Sequence, residues 1–180
     1  MKRVLASLAT LPLAATLLSA GLLASSSTTA HADDRVCRGT IGKVTIDDNI
    51  VVPRGATCTL TRTRVEGNIE VKGDGYLIAR GVRVDGNIQG NKARRVAVRA
   101  WQGQRSVVAG NIQLKRGTRG GKILDTVVDG DIQLTSNRGK RFVVKRNVVD
   151  GNLQCKSNKP APRGGKNRVE GNKEGQCRRL

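Results

Sequence analysis

A five-residue core, Val-acid-Gly-Asn-Ile, returns along the chain about every twenty residues, and that period limits the fold before composition is considered. It stands as Val65-Glu66-Gly67-Asn68-Ile69, Val84-Asp85-Gly86-Asn87-Ile88 and Val108-Ala109-Gly110-Asn111-Ile112. It comes back as Val128-Asp129-Gly130-Asp131-Ile132, Val149-Asp150-Gly151-Asn152-Leu153 and a degenerate Val169-Glu170-Gly171-Asn172-Lys173. An earlier copy, Ile46-Asp47-Asp48-Asn49-Ile50, lacks the glycine, and successive anchors lie 19, 19, 24, 20, 21 and 20 residues apart.

Within each copy apolar and polar residues alternate. The position two before the glycine is always β-branched (Ile46, Val65, Val84, Val108, Val128, Val149, Val169). Two after it stand Ile50, Ile69, Ile88, Ile112, Ile132 and Leu153; four after it stand Val52, Val71, Gly90, Leu114, Leu134 and Cys155. Period two with β-branched residues predicts strands with one face buried. A second apolar pair precedes several copies, as in Leu77 and Ala79, Val96 and Val98, and Phe142 and Val144, so each repeat holds two or three short strands. Such a unit cannot bury its apolar face alone, but stacking like on like about 4.8 Å apart does so. The expectation is an all-β parallel solenoid of about seven rungs, right-handed because the strict hexapeptides of the left-handed form are absent. The extra residues of the 24-residue interval fall near Arg99-Ala100-Trp101-Gln102 and predict a surface loop.

The first 32 residues carry a different signal. Lys2 and Arg3 precede an uncharged apolar run from Val4 to about Ala24, and a Ser/Thr-rich stretch ends in Ala30-His31-Ala32. This pattern predicts a signal peptide over 1-32, cleaved after Ala32, in preference to a retained anchor. Residues 33-180 then form one solenoid domain, exported to the extracellular space or the cell wall, with no membrane span in the mature chain. Cleavage lowers the formal charge from +19 to +17 and removes the only histidine, His31.

All four cysteines lie beyond the cleavage point, and an even count in an exported chain predicts disulfides. Cys37 and Cys58 bracket the first rung, and Cys155 and Cys177 the last. Across a seven-rung stack those pairs are separated by about 20 Å or more, whereas a disulfide allows Cα atoms at most about 7 Å apart. Only Cys37–Cys58 and Cys155–Cys177 fit, as staples on the two ends.

The repeated Val-x-Gly-Asn-Ile core, with its Cys58-Thr59-Leu60 and Asn152-Leu153-Gln154-Cys155 ends, resembles small exported β-helix proteins of high-GC Gram-positive bacteria whose function is unassigned. The likeness covers almost the whole mature chain. The Val-x-Gly-x-Ile spacing alone is similar to bactofilins, β-helical polymer-forming cytoskeletal proteins. Those are cytoplasmic and lack disulfides, and this chain departs from them on both counts. Neither resemblance implies catalytic residues.

The repeated glycines serve positive φ or close packing, and the asparagines and the Gln89, Gln113, Gln133, Gln154 column are expected to stack in ladders. The residue before the glycine is acidic in six of seven copies. Stacked carboxylates repel by about 1 kcal/mol per neighbour even in water. The expected partners are same-rung cations: Arg62 and Arg64, Arg80 and Arg83, Lys145 and Arg146, Lys166 and Arg168. A Ca²⁺ ladder over Glu66, Asp85, Asp129 and Asp150 is the alternative, which the net charge disfavours; no metal or cofactor is expected.

Without histidine the mature chain has no Ser-His or Cys-His nucleophile. A carbohydrate-active β-helix needs longer rungs and an aromatic-lined cleft, which Tyr76, Trp101 and Phe142 alone cannot build. The remaining clue is charge. A basic chain attracts polyanions at long range, here teichoic acid, acidic polysaccharide or the DNA backbone. Candidate contacts are Arg62, Arg80, Arg94, Arg95, Lys115, Arg116, Lys145 and Arg146. The expected function is therefore a non-enzymatic scaffold or binding protein of the envelope or matrix. The alternatives are a self-assembling structural β-helix, associating end to end, and a carbohydrate-active enzyme.

Overall fold

The computed structural model describes residues 34–180. The expected signal peptide, its cleavage point and His31 lie outside these residues. Among the described residues there is no helix, and 22 short strands wind into a parallel solenoid. Each turn places one strand in each of three sheets. Sheet A has eight strands, from Arg35–Val36 through Ile112–Lys115 to Lys173–Gly175. Sheet B has seven, from Thr40–Ile41 through Tyr76–Arg80 and Arg95–Arg99 to Arg163–Gly165. Sheet C has seven, from Thr45–Ile46 through Thr126–Val128 to Arg168–Val169. The repeat core is thus the last strand of one turn, the corner after it, and the first strand of the next.

The pairing register is the repeat period read in three dimensions. Ile69, Ile88, Ile112, Ile132 and Leu153 stack in one inward column of sheet A. Leu114, Leu134 and Cys155 form a second. Val65, Val84, Val108, Val128 and Val149 line sheet C. These side chains and their counterparts Leu77, Val98, Ile123 and Val144 on sheet B form one continuous buried core. The apolar alternation therefore reports the inner and outer faces directly.

The corners explain the polar part of the repeat. Asn68, Asn87 and Asn111 each donate their backbone N–H and side-chain amide to the Oδ1 of the residue one turn below, in a ladder that starts at Asn49. Asp131 continues it as an acceptor, taking both donors of Asn152 on Oδ1 and the amide of Gln133 on Oδ2. The glycine before each asparagine has a negative φ, so of its two expected uses close packing is the one realised. A Cβ on Gly86 would stand 2.6 Å from the Asn68 Oδ1 and 2.7 Å from the Gly67 carbonyl oxygen. Positive φ falls instead at the other two corners, on Arg62, Lys92, Arg116, Asp125, Ser136, Arg146, Ser157 and Lys166 among others.

Two further ladders are buried at their asparagines. Asn137, Asn158 and Gln176 stack at the corner between sheets A and B, and Asn147 and Asn167 between sheets B and C. Each asparagine also donates to a main-chain carbonyl inside the turn, Leu114, Leu134, Ile123 and Val144 respectively.

Both disulfides form as expected. Cys37–Cys58 joins the first two turns with a Cα separation of 5.5 Å, and Cys155–Cys177 ties the last turn down with 5.2 Å. All four cysteines are buried. Each bond closes a loop of 21 or 22 residues, worth about 3 kcal/mol in the chain-entropy picture, at turns with a neighbour on one side only. Two disulfides are consistent with an extracellular or otherwise oxidising compartment. No helix among the described residues is long and apolar enough to cross a membrane.

Candidate polyanion-binding face

The outer face of sheet B gathers most of the chain's unusual residues. Register places Tyr76 beneath Arg95, Ile78 beneath Ala97 and Arg80 beneath Arg99, and Lys122 follows Ala97 on the next turn. Alternation along the strands turns all of them outward, because Leu77, Ala79, Val96 and Val98 point into the core. A shallow groove of about 110 Å³ results. Its floor is Ile78 and Ala97. Tyr76 and Arg95 line one side, Arg80 and Arg99 the other, and Lys122 lies at the upper end.

Two of these cations are held by aromatic rings. The Arg95 guanidinium lies 5.7 Å from the centre of the Tyr76 ring, and that of Arg80 lies 5.1 Å from the centre of Trp101. Cation–π contacts of this kind fix a side chain that otherwise samples many rotamers. The Nε–H groups of both arginines are buried and meet no acceptor. Among the described residues, none of Arg80, Arg95, Arg99 and Lys122 is in an ion pair.

Trp101 reaches this position through the long interval in the repeat. Six residues, Ala100–Arg105, connect the sheet B strand Arg95–Arg99 to the next strand, where the turn below uses only Gly81 and Val82. The insertion folds back on itself through two main-chain hydrogen bonds between Trp101 and Gln104. Gly81 makes room for it. A Cβ there would lie 3.2 Å from the Trp101 Cβ, and φ at Gly81 is +55°.

The other sequence candidates scatter. Arg62 and Arg94 are exposed at corners, and Lys145 faces outward on sheet B two turns beyond Arg99. Lys115 and Arg116 border a different groove, on sheet A with Glu70, Gln89 and Gln113, where Arg116 donates twice to Asn91 Oδ1. Arg146 is engaged elsewhere. Its guanidinium meets both oxygens of Asp125 at 2.5 and 2.6 Å, and that paired hydrogen bond holds the Asp125 carboxyl below its ordinary value. Arg80 and Arg95 are therefore the two predicted cations that one site unites.

The acidic column lies at the corner between sheets C and A, and only part of its expected pairing occurs. Arg64 bridges Glu66 and Asp85, Arg83 adds a second contact to Asp85, and Arg168 pairs with Glu170. Arg62, Arg80, Lys145, Arg146 and Lys166, also expected to pair with this column, do not. The reason is parity: Arg64, Arg83 and Arg168 share the outer face of sheet C two residues before the acid, whereas the others sit on sheet B or at its corner. Asp129 and Asp150 have Val127 and Val148 in that place and are exposed without an ion pair. Among the described residues no group of three or more Asp, Glu, Cys or His side chains is placed to hold a metal ion.

Tyr76, Arg99, Trp101 and Lys122 were not legible as site residues from sequence motifs. The available signal was the spacing: Tyr76 to Arg95 and Arg80 to Arg99 are each 19 residues, one turn of the solenoid. No protein-family model, curated protein or solved structure matches this chain.

Proposed function

We propose that this chain is an exported, non-enzymatic scaffold that binds polyanions of the envelope or surrounding matrix through the outer face of sheet B. The observation that carries the reading is the set of four cations, Arg80, Arg95, Arg99 and Lys122, gathered around one groove on adjacent turns of a sheet face without carboxylate partners. Among the described residues the arginines that do pair with acids, Arg54, Arg64, Arg83, Arg146 and Arg168, all lie outside this groove. The net charge of +17 that remains after the expected cleavage, from +19 for the whole sequence, adds long-range attraction.

The test is a titration of the disulfide-bonded chain with polymeric anions at two salt concentrations. If four anionic groups are contacted, affinity is expected to fall on the order of a hundredfold between about 50 and 200 mM salt. Absence of binding at the lower salt, or binding indifferent to salt, removes the proposal.

Self-association is a second reading with its own observation. Val36 and Val44, 58% and 47% exposed, both belong to the first turn. At the other end Leu180 packs against the core beside buried Cys177, while the strands of the last turn stay largely exposed. Among the described residues the exposed large apolar side chains lie on the first turn and not on the last, which favours a pair of molecules meeting at their first turns over a continuing fibre. Sedimentation across a hundredfold range of protein concentration separates the readings: a species no larger than a dimer supports the pair, and growing polymers or an unchanging monomer exclude it.

A further inference from the structure

We propose that the sheet B groove is a site for a carboxylated sugar, a hexuronate unit of an acidic polysaccharide. This rests on the reading that the basic face binds polyanions and narrows it to one chemistry. Three features of the groove point the same way.

First, three of its four cations are guanidinium groups, and two of these lie over aromatic rings, Arg95 over Tyr76 and Arg80 over Trp101. A planar fork matches a planar carboxylate through two parallel hydrogen bonds, a geometry that an ammonium does not offer. Held in place before the ligand arrives, the side chains lose little freedom on binding. Second, the floor between the two arginine walls is apolar, formed by Ile78 and Ala97. A pyranose ring presents a face of C–H groups that such a floor can cover, as small-molecule sites with a few convergent polar groups do. Third, each wall holds a guanidinium whose Nε–H is buried without an acceptor. An unmet donor beside a groove is a cost that an arriving ligand oxygen removes after a small side-chain shift. A phosphodiester polymer needs none of this. Its charges are met by cations on an open surface, and it has no use for an apolar floor between two walls.

The experiment uses the disulfide-bonded chain and four probes: oligomers of mannuronic acid, their methyl esters, duplex DNA and a glycerol-phosphate polymer. Trp101 is the only tryptophan and stacks on Arg80, so its emission reports occupancy alongside calorimetry. The mannuronate oligomers are expected to shift that emission and to bind at least tenfold more tightly than the esters. Arg80→Lys and Arg95→Lys keep the charge and the stem and lose the fork; each is expected to weaken mannuronate binding at least fivefold. Arg138→Lys, on an exposed turn away from the groove, is expected to change it by less than twofold.

Equal affinity for acid and ester overturns the proposal. So does DNA or the phosphate polymer binding as tightly as mannuronate with the same sensitivity to the two variants, which would make the groove a phosphate site. If every polyanion binds at low salt and neither variant matters, the groove assignment falls and the wider reading of a basic binding face stands. If no polyanion binds, both fall together.

Discussion

Replacing Ile132 by alanine is expected to lower the unfolding free energy by about 3–5 kcal/mol, read from denaturant midpoints of the disulfide-bonded chain. Ile132 is fully buried and stacks directly between Ile112 and Leu153. The substitution deletes three carbon atoms, about 2.4 kcal/mol of lost transfer energy at about 0.8 kcal/mol per carbon. The cavity adds the rest. Neighbouring turns are fixed at strand spacing by unbroken main-chain ladders in all three sheets, so the stack cannot settle to fill the gap. In a solenoid, stability is a sum over turns and the interfaces between them, and a defect in this mid-stack turn weakens both of its interfaces. Val127→Ala is the matched control: one residue before the inward Val128, it faces out of sheet C and is only half-buried, and is expected to cost less than about 1 kcal/mol. Equal losses for the two would mean that the inner and outer faces are wrongly assigned.

That contrast also shows why the fold was legible. Parity over two residues and a period near twenty determine which side chains stack, and both can be counted in the sequence. The end staples followed from geometry, since cysteines a whole stack apart cannot meet. The corners were harder. The sequence offered glycine for positive φ, yet the strained positions carry mainly arginine, lysine, serine and aspartate, with asparagine or threonine often following. There the following side chain turns inward and satisfies the main chain, as Asn147 does for Thr126, and that compensation leaves no repeated motif to find.

The candidate site was less legible because it is a departure from the repeat. Tyr76, Arg99, Trp101 and Lys122 belong to no recurring column, and one of them sits on an insertion. A motif search discards such residues as noise. Placing them requires the register first, after which Tyr76 beneath Arg95 and Arg80 beneath Arg99 follow from the 19-residue step. Pairing arginines with acids by sequence proximity succeeded only for those on sheet C, Arg64, Arg83 and Arg168. Arg80, five residues before Asp85, lies on sheet B and does not reach it, whereas Arg64 reaches Asp85 from the turn below.

The buried asparagine ladders give the second large expectation, that Asn137→Ala destabilises the chain by about 3–5 kcal/mol. Asn137 is 2% exposed. Its Oδ1 accepts the Gly117 N–H at 2.8 Å, and its amide donates to the Leu114 carbonyl at 3.0 Å and to Asn158 Oδ1 at 2.8 Å. Alanine leaves the Gly117 donor and the Leu114 acceptor buried without partners, each worth about 1–3 kcal/mol. Asn158 Oδ1 suffers less, because it keeps the Asn137 main-chain N–H at 3.1 Å. Asn111→Ala breaks a ladder of the same design at a half-buried corner, where water can replace the missing amide, and is expected to cost only about 1 kcal/mol. The presence of Asp131 in that outer ladder, one donor short and satisfied by Gln133, is what such tolerance looks like in the natural sequence. Denaturant unfolding of the two variants side by side decides the matter: if Asn111→Ala costs as much as Asn137→Ala, burial is not what gives the inner ladder its weight.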